Sequence, residues 1–269
     1  MSVGAAGVAR DWAWATVQPF FDAVSDLSVP PLERIERFYS RHASKYDGSR
    51  AGLLHGRAEA LKVAVDHLPD EPKPLVWVDF GAGTGWSLEA MSEIMPLTRF
   101  SRVYLLDVSQ PMLDIAAERI RRLQAGDICE LVCGDAADFD SLAKADLVTF
   151  SYSISRMPDY QKAVDKAVGM LAPGGLLAVV DFTVASSCDP DEARSRYWAL
   201  PSWLLKTASS IGGLHMEAAR RQYVERALHV VWEHFRLGAV PYWPIIRVPY
   251  YILICRKPQS TDAVECDGR

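Results

Sequence analysis

The chain has little of what marks a nucleic-acid binder, a membrane-spanning protein or a disulfide scaffold. Lysine and arginine number 29 against 34 aspartate and glutamate, a formal net charge of −5. With no long basic run, nucleic acid is not expected as a partner. No apolar run approaches the ~18 residues needed to cross a bilayer. The opening MSVGAAGVARDWAW lacks an uninterrupted apolar core followed by a cleavage site. The five cysteines, Cys129, Cys133, Cys188, Cys255 and Cys266, are odd in number and scattered. Cys129-xxx-Cys133 has no second pair at metal-binding spacing and occupies alternate positions of an expected strand, which favours a core placement; no metal site is expected. These absences point to a reduced, intracellular protein. No internal repeat or low-complexity tract breaks the chain.

What is present is ordinary globular material: 49% hydrophobic and 23% charged residues. A length of 269 residues suffices for one large α/β domain with additions or for two small domains. The informative stretch is Leu75 to Glu89, LVWVDFGAGTGWSLE. Leu75, Val76, Trp77, Val78 and Phe80 read as a strand buried on both faces, and three glycines then turn the backbone into a helix starting near Trp86. A dinucleotide fingerprint needs a third glycine three places after the second, whereas Gly81 and Gly83 are followed by Gly85, and position 86 is a tryptophan. Such a turn also serves simply to pack a helix on a sheet. Asp79-x-Gly81-x-Gly83-x-Gly85 resembles the pattern of S-adenosylmethionine (SAM) sites in class I methyltransferases.

Residues 1–70 read as a helical N-terminal extension or lid, 71–257 as the core, and 258–269 as a tail. Trp12, Trp14, Phe20 and Phe21 fit an amphipathic helix lying on a membrane, over the active site, or on the core of its own domain. Helical periodicity runs from Leu32 to His67, interrupted at Tyr46-Asp47-Gly48-Ser49. Strands then alternate with helices: Arg102 to Leu106 ending in Asp107, a helix Met112 to Arg122 after Pro111, and Cys129 to Cys133 ending in Gly134-Asp135. Asp146 to Phe150, a helix Tyr160 to Leu171, and Gly175 to Phe182 complete the series. This order predicts an α/β fold, a mostly parallel, doubly wound sheet. Leu214 to Phe235 reads as helical, and Tyr242 to Ile246 with Tyr250 to Ile254 as a closing antiparallel pair.

Ligands of such sheets bind beyond the carboxyl ends of the strands. Asp79, Asp107, Asp135 and Ser151-Tyr152 all fall there. A carboxylate ending the second strand suits the two ribose hydroxyls of SAM, and Asp135 suits the adenine amino group. Each acid alone equally suits a helix N-cap.

The runs Phe38-Tyr39, Tyr46-Asp47-x-x-Arg50, Leu53-Leu54-x-Gly56-Arg57 and Gly83-Thr84-Gly85-Trp86-x-x-Glu89-Ala90-Met91 resemble the methyltransferase portion of betaine-lipid synthases. So do Phe150 to Pro158, Val180-Asp181-Phe182, Leu214-His215, Arg220-Arg221-x-Tyr223-Val224-Glu225 and Arg247-Val248-Pro249-Tyr250-Tyr251. The resemblance covers residues 35 to 257. It implies a Rossmann-like class I methyltransferase that uses SAM, leaves S-adenosylhomocysteine, and trimethylates the amine of diacylglyceryl homoserine. The implied cofactor set is Tyr39, Tyr46, Arg50, Asp79, Gly81, Ala82, Gly83, Thr84, Gly85, Trp86, Asp107, Val108, Met112, Gly134, Asp135, Ala136 and Ser151. Ser153, Arg156, Tyr223, Tyr250 and Tyr251 are assigned to the acceptor. Tyr152, Tyr46 and His55 are candidates to assist or orient the amine, with no choice among them, and Tyr152, Trp86, Tyr250 and Tyr251 to face the methylated cation. Arg156 stands where the family carries methionine, so a carboxylate-bearing acceptor other than the lipid stays open.

The lipid acceptor implies a cytoplasmic protein with peripheral contact on the inner membrane face. Two alternatives keep the same cofactor: transfer of its 3-amino-3-carboxypropyl arm, and a non-catalytic SAM-binding partner subunit.

Overall fold

A computed structural model describes residues 43–70, 73–140, 144–183, 215–240 and 243–259, with 30, 33, 36, 37, 39 and 41 before them. The expected amphipathic helix at Trp12 to Phe21 and most of the expected tail lie outside the described residues. Among these residues, seven strands form one sheet: β1 Leu75–Phe80, β2 Phe100–Asp107, β3 Cys129–Cys133, β4 Ala145–Ser151, β5 Leu171–Phe182, β6 His229–Val240 and β7 Trp243–Arg256. The helices are α1 Tyr46–Arg50, α2 Arg57–His67, α3 Trp86–Ile94, α4 Gln110–Arg122, α5 Tyr160–Met170 and α6 Ala218–Ala227.

The sheet order is β3-β2-β1-β4-β5-β7-β6. The first five strands run parallel, while β7 is antiparallel to both β5 and β6. β1 is flanked by β2 and β4, so the chain leaves it in one direction, returns, and continues in the other. That reversal opens a crevice at the carboxyl ends of β1 and β4, where the flanking loops part.

Continuous apolar runs make the central strands because both faces are covered. On one face Trp77, Leu105 and Leu147 pack with Leu61 of α2, Leu88 of α3 and Ala116 of α4. On the other, Phe80, Val148 and Leu177 pack with Val164 of α5 and Val224 of α6. Doubly wound packing is therefore as the sequence predicts.

Four expectations change. Tyr46 to Ser49 is not an interruption but lies within α1; the break comes after it, in the turns of 51–56. The helix read through Phe235 stops at Ala227, and β6 begins two residues later at His229. Tyr242 to Ile246 and Tyr250 to Ile254 are not two paired strands: Ile246 and Tyr250 lie on the single strand β7, which pairs with β5 on one side and with β6 on the other. Cys129 is only half-buried and Cys133 exposed, because β3 is an edge strand; burial still pushes the Cys129 thiol up to about 11.

The long β6–β7 hairpin reaches past the sheet to the N-terminal segment. His55 Nε2 lies 2.9 Å from the Ala239 carbonyl oxygen. A Cβ on Gly238 would come within 2.1 Å of the His55 ring, so only glycine leaves room for that contact. Arg236 adds an ion pair with Glu59 at 3.0 Å. These contacts fix the turn that leads into α2.

Candidate active site

The crevice predicted by the strand order is a cavity of about 830 Å³, counted out to the solvent. β1 builds its floor. Gly81 and Ala82 both donate from their backbone N–H to the Leu106 carbonyl, at 2.8 and 2.9 Å, which stitches the glycine turn to β2. Gly81, Gly83 and Gly85 all have positive φ, and a Cβ on Gly81 would lie 2.4 Å from that of Ser153. The glycine turn and the turn after β4 thus pack in direct contact, and Ser153 seals them by donating to the Phe80 carbonyl at 2.7 Å.

Asp79 is fully buried at the end of β1. Parallel register sets Thr149 beside it; the Thr149 hydroxyl donates to Asp79 Oδ1 at 2.6 Å and accepts from Trp77 Nε1 at 2.8 Å. Asp79 Oδ2 has no hydrogen-bond partner. Burial pushes its carboxyl up to about 6, opposed by the hydroxyls of Thr149 and Ser87. A buried carboxylate oxygen without a donor, next to bare glycine backbone, fits an ammonium group, and SAM carries one.

Asp107 ends β2 as expected, but both its oxygens already accept backbone N–H groups: Oδ2 from Gly83 at 2.8 Å and Oδ1 from Ser109 at 2.9 Å. The carboxylate holds the glycine turn in place, and each oxygen keeps a second lone pair for a ribose hydroxyl. Burial nevertheless raises its pKa. Asp135 accepts from Ala137 N–H at 2.9 Å and lines the same wall with Gly134 and Ala136.

Of the sequence-predicted cofactor residues, Tyr39, Tyr46, Ala82, Thr84, Trp86 and Ser151 also line the cavity, as do Val108 and Met112. Asp79, Gly85 and Arg50 are not among its lining residues. Tyr152, Ser153 and Arg156 line the side formed by the β4 turn. Tyr152 has a left-handed backbone, φ 56°, unusual for a residue with a side chain; its hydroxyl is committed to the His55 carbonyl at 2.6 Å. Burial holds the Tyr152 and Tyr46 phenols well above their ordinary range, so both are neutral at physiological pH.

The remaining aromatics lie elsewhere. Consecutive strand residues face opposite sides of a sheet, so Tyr250 and Tyr251 fall into the two separate core clusters. Tyr250 packs behind Gly56 and stacks on His55, with ring centroids 5.8 Å apart. Neither tyrosine, nor His55, is among the cavity walls. Tyr223 is further away, donating to Asp165 at 2.9 Å on the outer side of α5.

Arg57 is the charged cavity residue absent from the expected set. Its guanidinium stacks over Trp86, 3.9 Å from the ring centroid, and its buried Nε has no partner. It is the first residue of α2. The sequence signal was its place in the Gly56-Arg57 run. A second unforeseen element is Arg119 of α4. It pairs with Asp47 at 2.9 Å and Glu89 at 2.8 Å and donates to the Thr84 carbonyl at 2.5 Å, while Thr84 donates to Asp47 at 2.8 Å. One guanidinium thereby ties α1, the glycine turn and α3 together. Arg119→Met is expected to weaken S-adenosylhomocysteine binding roughly tenfold, the loss of about 1.5 kcal/mol of charged hydrogen bonding, as titration calorimetry would show.

Residues 78–179 match the family model described as a methyltransferase domain. This segment is a class I, SAM-binding methyltransferase domain. A demethylmenaquinone methyltransferase from Clavibacter sepedonicus is 28% identical over 161 residues, 59% of this chain and 62% of that protein. The mitochondrial 2-methoxy-6-polyprenyl-1,4-benzoquinol methylase of Caenorhabditis elegans is 28% identical over 162 residues, 58% and 54% of the two. The chain therefore spans little more than half the length of these relatives. The N-methyltransferase NodS of Bradyrhizobium japonicum WM9, solved with S-adenosylhomocysteine, superposes with a TM-score of 0.57 at 16% identity, over 83% of this chain and 98% of that one. At that identity the likeness is one of fold.

Within the methyltransferase domain, the glycine turn, Asp79, Asp107 and Asp135 are the residues that would hold SAM. Among the described residues no cluster of three or more His, Cys, Asp or Glu side chains could hold a metal. No described helix is long and apolar enough to cross a membrane.

Proposed function

We propose that the protein methylates the amine of an acceptor that also carries an anionic group, an amino acid head of the homoserine type, free or lipid-linked. One observation carries this reading: Arg57 and Arg156 line the cavity, lying 3.9 Å from the Trp86 ring centroid and 5.9 Å from that of Tyr39, and with Arg50 they act on Tyr46 in the same wall. Arg50 makes no ion pair among the described residues, and burial lowers its pKa. Asp47 nearby is engaged by Arg119. A group of cations of this kind attracts carboxylates, and both SAM and an amino acid acceptor carry one.

The same walls bear on the chemistry. Bound SAM supplies an electrophilic methyl carbon on a sulfonium. Held by the glycine turn, Asp79 and Asp107, SAM would give up that methyl to the acceptor's nitrogen lone pair with the sulfur as leaving group, and the methylated amine would release its proton to water. The nitrogen must arrive unprotonated. Tyr46 and Tyr152 are neutral phenols and cannot serve as a base near pH 7. Instead, the walls desolvate the bound amine, which disfavours its ammonium form and lowers its pKa in place, and they orient it.

The quinone relatives favour a second reading, methylation of a hydroxylated ring, for which Tyr39, Tyr46, Trp86 and Met157 offer apolar walls. Incubation with SAM and a panel of homoserine, diacylglyceryl homoserine and demethylmenaquinol, followed by mass spectrometry, separates the two. A 14-dalton gain on a homoserine compound is expected, with activity rising with pH through the amine's titration. Arg156→Met is expected to raise the acceptor KM about tenfold or more. A product from demethylmenaquinol alone would overturn the amine reading. Release of methylthioadenosine would indicate aminocarboxypropyl transfer instead.

A further inference from the structure

The turn after β4, Ser153 to Pro158, forms the cavity wall opposite the glycine turn, and it is held from behind. Arg220 of α6 is 7% exposed. One of its nitrogens, Nη1, donates to two carbonyls of this turn, Ile154 at 2.6 Å and Met157 at 2.7 Å. Its guanidinium also lies over the Tyr160 ring, 4.3 Å from the centroid. Asp181, buried at the end of β5, accepts the Ser155 N–H at 2.8 Å, and the His215 N–H donates to the Ser155 carbonyl at 2.8 Å. Tyr160 in turn packs edge-on against Tyr223.

Four backbone groups of one short turn are thus satisfied by residues 26 to 66 positions away in sequence. A 3-10 turn of three residues has too few internal hydrogen bonds to hold its own shape. Arg156, Met157 and Pro158, which the turn presents to the cavity, therefore take their positions from α6 and β5.

We infer that Arg220 is a positioning residue for the acceptor: it fixes the wall that carries Arg156 without touching the SAM half of the site. The clamp on the turn stands on geometry alone, and the word acceptor rests on the function proposed above. Amide hydrogen exchange of the full chain saturated with S-adenosylhomocysteine, compared among wild type, Arg220→Met and Arg220→Lys, tests it. In Arg220→Met, exchange over 153–158 should quicken at least tenfold while 80–86 stays protected, with S-adenosylhomocysteine affinity within twofold of wild type. Arg220→Lys keeps a donor and should fall between. With an acceptor found by the panel, its KM should rise about tenfold and that of SAM should not move. Unchanged exchange over 153–158 overturns the inference. So does equal loss over 80–86 together with lost ligand binding, which would make the contact merely structural. Should Arg220→Met fail to fold, the lysine variant is judged by the same criteria. Failure of the wild type to methylate any panel member counts against the proposed acceptor and leaves the exchange result decisive for the clamp.

Discussion

Alanine at Gly81 is expected to abolish measurable binding of S-adenosylhomocysteine, a loss of at least ~100-fold, and to lower the melting temperature by roughly 5–10 °C. Two costs combine. The backbone there has φ +75°, a conformation that penalises a side chain by about 1–2 kcal/mol. The added Cβ would also meet Ser153 Cβ at 2.4 Å, and neither side has room to yield, since Ser153 is tied to Phe80 and the glycine turn to Leu106. Overpacking of this kind costs about 1–3 kcal/mol more. Any relief must separate the two turns that form opposite walls of the cavity, so binding should suffer more than folding. Gly169→Ala is the control: it lies within α5 with nothing inside 4 Å of the new methyl, and should be neutral or stabilising by up to ~1 kcal/mol. Calorimetry and thermal melts of the two variants decide the matter; ligand affinity within threefold of wild type in Gly81→Ala would contradict this account of the glycine turn.

The parallel half of the sheet is legible in the sequence for a physical reason. Strands covered on both faces must be apolar almost throughout, and LVWVDF or ADLVTF has few other uses in a soluble fold. β6 escapes the same reading because it is an edge strand. His229 to Val240 interrupts its apolar residues with His, Glu and Arg and shows no strict alternation, and it follows α6 after a single intervening residue, Leu228, without a glycine or proline to mark the change. Charge on an edge is what sheets use against pairing with other chains, and it also hides the strand from a search for apolar periodicity.

Site residues divide along similar lines. Those on backbone, Gly81 to Gly85 and the strand-end acids, follow from topology once the strands are placed. Those reached through side-chain packing do not: Arg57 opens a helix like any basic residue, and Arg119 reads as part of the basic last turn of α4. Tyr250-Tyr251 misleads in the opposite way. Two adjacent tyrosines suggest one aromatic surface, yet the pleat sends them to different faces of β7, and the sequence alone says nothing about which way either points.

Affinity for S-adenosylhomocysteine should fall as pH drops below about 6, approaching tenfold per unit, and reach a plateau above it. The group responsible is Asp79, whose carboxyl is pushed up to about 6 by burial and by the neighbouring Asp107 against the help of two hydroxyls. Above that pH it is ionised and its unpartnered Oδ2 receives the ligand's ammonium; below it the proton must first be expelled. The sign for folding is the reverse. An acid whose pKa is raised in the folded state contributes stability that is complete below its unfolded value, near 3.8, and is lost as pH rises through 6. The ligand-free protein therefore holds Asp79 ionised at pH 7 at a cost of about 3 kcal/mol, two pKa steps of 1.36 each, and binding of an ammonium offsets that cost. The ligand-induced rise in melting temperature should accordingly grow from pH 5 to pH 7.5. Asp79→Asn separates this effect from that of Asp181, which burial also raises to about 6: the variant should bind 10- to 100-fold more weakly at pH 7.5, as expected for a lost charged hydrogen bond, and its affinity should be flat with pH. A variant whose affinity still falls below pH 6 with the wild-type slope would move the titration to another group.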